Sequence, residues 1–340
     1  MSPEVIILAR ESDMHASVVS KALTATGKKN LILPFYAFPT AMCISFEFDA
    51  DGSSVANVFH GENRVCFESV SRVWFRRDVP AKLHPTLLGD DREFARRECG
   101  VVISGLEGAT EKALWVNPRS AALASENKVY QLKLAQVCGF KIPKTLISND
   151  PGLIRKFVIK QDSVYKSLAG YVWDDGVQRT ATYTRQIHAQ DLKEDSSLQN
   201  APGIFQELIV AEYEVRVFVC GETCLAVRIV SNVQHDSIRD WRLHQDTHLK
   251  ASRIEIPLGV REKCLKIMAM ISLVTASFDF MVDMNGCWCF LELNSSGQFL
   301  FLEEWCPDLP VLATFCSFLS DTARGRQREI DASIKLSDFV

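Results

Sequence analysis

Hydrophobic and polar positions repeat along the chain with two periods, one typical of strands and one typical of helices. The apolar residues 5–9 predict a first strand, and the segment behind them, with Ser12 as a candidate cap, predicts a helix. Short strands are expected at 43–48, 64–67 and 73–76. This alternation predicts that the chain begins as an α/β domain.

A long helical pattern covers residues 90–113, and Asn117-Pro118 follows it. An Asn-Pro pair favours a break in regular structure, so we predict the first domain boundary there. No glycine-rich fingerprint follows the first strand, and a dinucleotide-binding domain is therefore not predicted.

The middle of the chain combines short helices and short strands. A capping segment at 125–128 opens a helix that Gly139 ends, and residues 156–160 predict a strand. A hairpin is expected at 171–183, turning on Asp175-Gly176.

The last third of the chain is rich in strands. Its predicted elements are strands at 204–209, 214–220 and 224–230, a helix at 258–275, a hairpin at 277–294 and a helix at 309–319. Together with the first two regions, this pattern predicts an α/β or α+β protein of several domains.

Composition narrows the function classes. The 340 residues are 47% hydrophobic, with a formal net charge of −4 and a pI near 6.0, which gives no general attraction to nucleic acid or to an anionic membrane. The chain shows no signal-peptide pattern and no run of transmembrane length, and its eleven cysteines have no repeated spacing. We therefore expect a cytoplasmic protein with reduced cysteines.

The predicted hairpin at 277–294 carries the strongest chemical signal. Asn285-Gly286 is the preferred type I′ two-residue turn, and that register places Asp279 directly opposite Glu292. Asn294 shares their face because side chains alternate along a strand. Two neighbouring carboxylates and an amide oxygen suit Mg²⁺ bridged to substrate phosphates, although an exposed pair of acids at an edge would give the same pattern.

Cations for phosphate binding are available elsewhere. Lys128 and Lys160 are candidates, the latter because it would end an apolar strand, and the segment 161–170 with Ser167 could close over phosphates. Glu214 and Arg216 share one strand face, so Arg216 could bind a phosphate or carboxylate or could simply pair across strands. A polar connection at 239–242 is either a binding loop or a solvated loop.

Several of these segments, in this order, resemble the ATP-grasp superfamily and, more closely, the graspetide ligases that macrocyclise microviridin-type precursor peptides. The matching segments are Glu126-Asn-Lys128, Phe157-Val-Ile-Lys160, Phe205-Gln-Glu-Leu-Ile209, Glu214-Val-Arg216, Asp240-Trp-Arg242 and Phe290-Leu-Glu-Leu-Asn294. The resemblance implies an ATP-grasp fold with a pre-ATP-grasp domain at 1–117, a central subdomain at 118–203, a C-terminal subdomain at 204–325 and a tail at 326–340.

The resemblance also implies roles for residues. Lys128 and Lys160 would contact the phosphates of ATP, Arg216 and Arg242 would steady the γ-phosphate or the acyl phosphate, and Glu214 would face the acceptor. The implied adenine-binding hinge is Gln206, Glu207, Leu208 and Ile209. The implied Mg²⁺ ligands are Asp279, Glu292 and Asn294, which agrees with the hairpin register.

The function that these observations predict is an ADP-forming ligase. It would convert a carboxylate into an acyl phosphate and join it to a hydroxyl or amine, as side-chain ester or amide links in a precursor peptide with leader and core. Two alternatives stay open: a stand-alone amino-acid or small-peptide ligase, and a non-catalytic peptide-binding homologue. The sequence is also compatible with a homodimer.

Overall fold

The structure, a computed structural model, describes residues 3–77, 80–110, 112–170, 172–174, 179–182, 184–231, 249–321, 330–331 and 333–340. Within these residues lie nine α-helices and eighteen strands arranged in five sheets. Single-turn 3-10 helices cover Phe35–Ala37, Phe67–Ser69, Ala189–Asp191 and Leu336–Asp338.

The N-terminal region contains a parallel sheet and an antiparallel sheet. Its elements are β1 (Val5–Leu8), α1 (Met14–Ala25), β2 (Asn30–Leu33), β3 (Met42–Phe48), β4 (Ser54–His60), β5 (Asn63–Cys66), β6 (Arg72–Phe75), α2 (Gly89–Gly108) and β7 (Leu114–Val116). The parallel sheet has the order β2-β1-β6-β7, and β3, β4 and β5 form the antiparallel sheet. This is the predicted α/β start, with Asp13 rather than Ser12 capping α1.

Strand β1 is buried on both faces, which explains its unbroken apolar sequence. Val5 and Ile7 pack into a core shared with α1 and the C-terminal region, whereas Ile6 and Leu8 pack into a core shared with α2 and the antiparallel sheet. The N-terminal region is therefore joined to the rest of the chain by a continuous core.

The central region holds a small antiparallel sheet. Its elements are α3 (Arg119–Ser125), α4 (Lys128–Val137), β8 (Thr145–Ser148), α5 (Pro151–Lys160), β9 (Ser163–Lys166), β10 (Val172–Asp174), β11 (Arg179–Ala181), β12 (Arg185–Ile187), α6 (Asp195–Gln199) and β13 (Gly203–Glu207). The sheet order is β12-β9-β13-β8. Strand β13 pairs with β8 and β9, so the proposed boundary at residue 203 cuts into this sheet.

The strand predicted at 156–160 is wrong, because these residues continue helix α5. Asp150 caps that helix by accepting from the Leu153 N–H, and Ile154 and Val158 are buried one turn apart. The strand begins only at β9. Strands β10 and β11 pair as the predicted hairpin, and the turn assigned to Asp175-Gly176 lies outside the described residues.

The C-terminal region is built on a five-stranded antiparallel sheet. Its elements are β14 (Tyr213–Cys220), β15 (Thr223–Ser231), β16 (Leu249–Arg253), α7 (Leu258–Met270), β17 (Thr275–Val282), β18 (Trp288–Asn294), α8 (Phe301–Trp305) and α9 (Val311–Ser320). The sheet order is β16-β15-β14-β17-β18. Helix α7 ends five residues before the predicted limit, and residue 275 already starts β17.

The last residues of the chain pack against this region. Ile334 and Leu336 are buried, and the buried Glu303 carboxylate accepts from the Leu336 N–H at 2.6 Å and from the Leu312 N–H at 2.7 Å. The segment assigned as a tail thus contributes to the core. Among the described residues no helix has the length and apolar character needed to cross a membrane.

Candidate active site

The hairpin of β17 and β18 brings Asp279 opposite Glu292, as predicted, but its loop and its register near the loop differ from the prediction. Its loop spans three residues, and Asp283 at its base accepts from the N–H groups of Asn285 and Cys287 at 3.0 Å. The predicted two-residue turn is therefore wrong. A bulge at Leu291 adds one residue to β18 and restores the pairing of the two acids.

The three-residue loop also decides the face on which Cys289 lies. Cys289 pairs with Met281, so it lies on the face of Asp279, whereas a two-residue turn at Asn285-Gly286 would place it on the opposite face. It is buried, and burial raises the pKa of its thiol to about 11. A thiol that stays protonated at neutral pH is a poor metal ligand.

Each of the two acids is paired with a cation. Arg216 Nη1 donates to both Asp279 carboxylate oxygens at 2.9 Å, and the pair is almost fully buried. Lys128 Nζ donates to Glu292 Oε2 at 2.7 Å. Asn294 Nδ2 lies 3.3 Å from Glu292 Oε1 and 3.5 Å from Asp279 Oδ2. The two carboxylates and the amide therefore converge, with the amide nitrogen facing the acids; a bound cation would need the amide turned so that Oδ1 faces it.

This donor set fits a magnesium ion. Carboxylate and amide oxygens are the ligands that Mg²⁺ uses, usually with waters and substrate phosphates completing the shell. Among the described residues no group of three His, Cys, Asp or Glu forms a metal site, so protein carboxylates alone do not provide a closed cage. Two acids plus one amide match an ion that is shared with a nucleotide.

Lys160, predicted to reach the phosphates, lies exposed at the C-terminal end of α5. Lys166, at the end of β9, lines the cleft instead. The sequence favours Lys160 because it would end the strand predicted at 156–160, whereas the actual strand β9 ends at Lys166, six residues further along. The phosphate-binding role of Lys160 stays a prediction. Ser167 also lines the cleft, and its hydroxyl donates to Thr182 Oγ1 at 3.0 Å.

The segment assigned as the adenine hinge connects the central and C-terminal sheets. Gln206 is buried in β13 and donates to Thr145 Oγ1 at 3.0 Å. The Leu208 N–H donates to the Asp162 carbonyl at 2.9 Å, so this backbone donor is used within the protein. The Glu207 N–H is likewise used, since it donates to the Lys144 carbonyl at 2.9 Å. The adenine-binding roles of all four hinge residues stay a prediction.

Part of this set lines one cavity of about 280 Å³ between the two sheets. Helix α4 supplies Lys128, β9 and its loop supply Lys166 and Ser167, β13 supplies Gln206, and β18 supplies Glu292 and Asn294. Asp279, on β17, is paired with Glu292 across the two strands. Glu214 is half-buried on the face of Arg216, two residues along β14. Arg242 lies outside the described residues.

Sequence reasoning missed the residues that hold the loop after Asn294. His15 Nε2 accepts from the Phe299 and Leu300 N–H groups at 3.1 and 3.2 Å. Arg76 Nη1 donates to the Ser296 carbonyl at 2.6 Å, and Asn117 Nδ2 donates to the Ser295 carbonyl at 2.9 Å. The N-terminal region thus positions the segment next to the metal ligands. The sequence did contain two signals for this: Arg76 directly follows the apolar strand β6, and Asn117 directly follows the apolar strand β7.

The protonation state of His15 follows from its surroundings. Burial, and next the Arg76 charge, lower the pKa of its imidazole to about 4. His15 is therefore neutral at physiological pH, and its unprotonated Nε2 can accept the two backbone donors.

Comparisons with known proteins agree with this geometry. Residues 4–122 match the model of the MvdD pre-ATP-grasp domain. Among solved structures, the chain is similar to the macrocyclase MdnC of Microcystis aeruginosa MRC, solved with the precursor peptide MdnA. The TM-score is 0.82 at 26% identity, over 94% of this chain and 99% of that one. No curated protein matches the sequence.

Two further structures share the fold. A RiPP-associated ATP-grasp ligase of Chryseobacterium gregarium, solved with ADP and a leader and core peptide, has a TM-score of 0.84 at 23% identity over 95% of this chain and 98% of that one. The ATP-grasp ligase PsnB, solved with a phosphomimetic precursor variant, Mg and ADP, has a TM-score of 0.75 at 23% identity over 94% and 98%. The chain has the fold of the ATP-grasp ligases in these comparisons. The solved structures that it resembles include a macrocyclase and two ATP-grasp ligases.

Proposed function

We propose that the chain is an ATP-dependent ligase that crosslinks side chains of a ribosomally made precursor peptide. The observation that carries this proposal is the convergence of Asp279, Glu292 and Asn294 in a cleft that also contains Lys128 and Lys166. Support comes from the similar structures, which were solved with precursor peptides and, in two cases described above, with ADP.

Asp279, Glu292 and Asn294 would hold Mg²⁺ against the nucleotide phosphates. When bound, the ion would offset the charge that develops on the transferred phosphoryl group. Lys128 pairs with Glu292 in the present structure, so the nucleotide phosphates and the Glu292 carboxylate compete for the same ammonium group. Lys166 lines the same cavity and would bind the phosphates from the central sheet.

The substrate carboxylate would attack the γ-phosphorus of ATP, releasing ADP and forming an acyl phosphate on the peptide. A hydroxyl or amine of the same peptide would then displace phosphate and form the ester or amide. Arg216 is positioned to orient anionic groups, because Asp279 holds its guanidinium and the Gln298 carbonyl accepts from Nη2 at 3.2 Å. Glu214 on the same face would contact the acceptor, and Arg242 remains a predicted phosphate ligand.

The test is turnover of Mg-ATP by the purified chain with a leader-and-core precursor peptide. Nucleotide products are separated by chromatography, and the mass of the peptide is measured by mass spectrometry. We expect ADP, phosphate and a peptide that has lost one water for each bond formed. Fragmentation with and without mild alkaline hydrolysis separates ester from amide products.

Other outcomes of this experiment have defined meanings. AMP as the product would contradict the acyl-phosphate route, because it indicates adenylation. Turnover only with free amino acids would favour a stand-alone amino-acid ligase. Peptide binding without any ATP binding would favour a non-catalytic homologue.

A further inference from the structure

A second cavity, of about 470 Å³, lies in the N-terminal region where β1 and β6 end and α1 begins. Ligands of parallel α/β sheets bind at the carboxyl ends of the strands, and this cavity occupies that position. None of the functions proposed above uses it. Its polar side chains are Arg10, Ser12, Asp13, Arg76, Arg77 and Gln298.

The cavity has a positive charge balance. Three arginines face one carboxylate, that of Asp13, and His15 in the wall is neutral because its pKa is lowered to about 4. The N-terminus of the twelve-residue helix α1 also opens here and adds a partial positive charge. This balance favours an anionic ligand.

Arg76 is an unusual part of the wall because it is only 2% exposed. Its Nε lies 3.5 Å from Asp13 Oδ1 but makes no hydrogen bond to any described residue. Burial lowers the pKa of its guanidinium to about 10, which still leaves the group charged at neutral pH. Arg76 is held in place by Asp13 and by the Ser296 carbonyl, so it contributes a fixed positive charge to the cavity wall.

Arg10 and Arg77 lie at the mouth of this cavity and are exposed. Neither of them forms an ion pair with another described residue; the Arg10 guanidinium carbon lies 6.0 Å from the centre of the Tyr36 ring. Both side chains can therefore turn onto a ligand without breaking a salt bridge to any residue that the structure describes.

Shared wall residues relate this cavity to the nucleotide cleft. Arg77 also lines a neighbouring space of about 460 Å³, whose wall includes Glu126, Lys128, Asn294 and the loop at 295–297. That space in turn shares Lys128 and Asn294 with the nucleotide cavity. A chain that extends away from the phosphate end of the cleft would reach Arg77 and then the arginine cavity.

We infer that Arg10, Arg76 and Arg77 form a subsite for a carboxylate side chain of the substrate peptide, at a residue other than the one being activated. The inference rests on the proposed function, which supplies a substrate that carries carboxylates. The cavity volume suits a few side chains rather than a single small ion. Lys128 and Lys166 already account for the nucleotide phosphates.

Binding is tested by fluorescence polarisation with a labelled short peptide of alternating glutamate and threonine. A peptide with glutamine in place of glutamate is the neutral probe. We expect Arg77→Gln and Arg10→Gln each to weaken binding of the acidic peptide about tenfold, because each removes a charge-assisted hydrogen bond. Arg97→Gln, an exposed arginine of the same region on α2, is the matched control and should bind like the unaltered protein.

Equal affinity of both arginine variants and the unaltered chain for the acidic peptide would overturn the subsite. So would equal binding of the glutamate and glutamine peptides, or displacement of the acidic peptide by an equal concentration of inorganic phosphate. Binding of Mg-ATP is measured in the same preparations. Retained ATP binding with no effect of the arginines refutes only the subsite, whereas absence of ATP binding refutes the proposed function.

Discussion

The C-terminal sheet and the central sheet border the same cleft but differ in the size of their cores. Twenty buried apolar residues pack beneath the C-terminal sheet in the described core, including Phe278, Phe280 and Phe290, against five beside the central sheet. The acids lie on the larger core, where Arg216 and Asp279 are locked together. Local opening costs less where fewer apolar contacts hold an element. We therefore expect the C-terminal side of the cleft, which carries the predicted metal ligands, to be fixed. The central side, which carries Lys166, is expected to be adaptable.

The largest expected effect is on the fixed side. Glu292→Gln keeps the shape of the side chain but removes the charge that would hold Mg²⁺, so we expect turnover to fall about 1,000-fold. Mg-dependent ADP release measures it, and circular dichroism checks the fold. Glu255→Gln, an exposed glutamate, is the matched control. Turnover like that of the unaltered chain would remove Glu292 from the metal site.

The buried ion pair of Arg216 and Asp279 tests whether the C-terminal side of the cleft is rigid. Arg216→Ala leaves the Asp279 carboxylate buried without its guanidinium, and we expect a loss of about 3 kcal/mol in the free energy of unfolding together with reduced turnover. Urea unfolding measures the first quantity. Removing the exposed Arg253 of the Arg253–Glu255 pair should change it by less than about 1 kcal/mol. Equal losses in both variants would contradict the distinction between buried and exposed pairs.

Because His15 holds the loop that follows Asn294, we expect the free energy of unfolding to depend on pH. Its folded pKa of about 4 lies below the ordinary 6.5, so folding disfavours the protonated form. The neutral imidazole therefore contributes to the free energy of unfolding, fully above pH 6.5 and less as the pH falls toward 4. We expect the free energy of unfolding to fall by about 2 kcal/mol between pH 7 and pH 5. Urea unfolding at both pH values measures it. His15→Gln retains an acceptor and should flatten the dependence, and an unchanged slope would assign it to other groups.

The smallest effect is expected on the adaptable side. Lys166→Gln should weaken ATP binding about tenfold, because one cation of the phosphate site is lost while Lys128 remains. Calorimetric titration with Mg-ATP measures the affinity. Lys160→Gln removes the same charge from the exposed end of α5 and should leave it unchanged. A larger effect of Lys160 would restore its predicted role and contradict its position in the structure.

Local sequence signals were reliable where short-range hydrogen bonds decide the structure. Asn127, in the predicted capping segment, caps α4, and Gly139 adopts a positive φ just after that helix, as predicted. The same signals did not place the end of α5, because an apolar segment that is buried on one side suits a helix and a strand alike. That ambiguity is why the sequence favours Lys160, whereas Lys166 is the lysine that lines the cleft.

The sequence by itself determined the α/β and strand-rich regions, the pairing of Asp279 with Glu292, and the kind of chemistry that two acids and an amide allow. Only the tertiary structure decided how that pairing arises, through a three-residue loop and a bulge at Leu291. It also decided that His15, Arg76 and Asn117 hold the segment after Asn294. For the loop and the bulge, the physical reason is that two turn lengths can bring the same two acids opposite each other. For His15, Arg76 and Asn117 it is distance along the chain, because their contacts join residues more than a hundred positions apart, which no local pattern encodes.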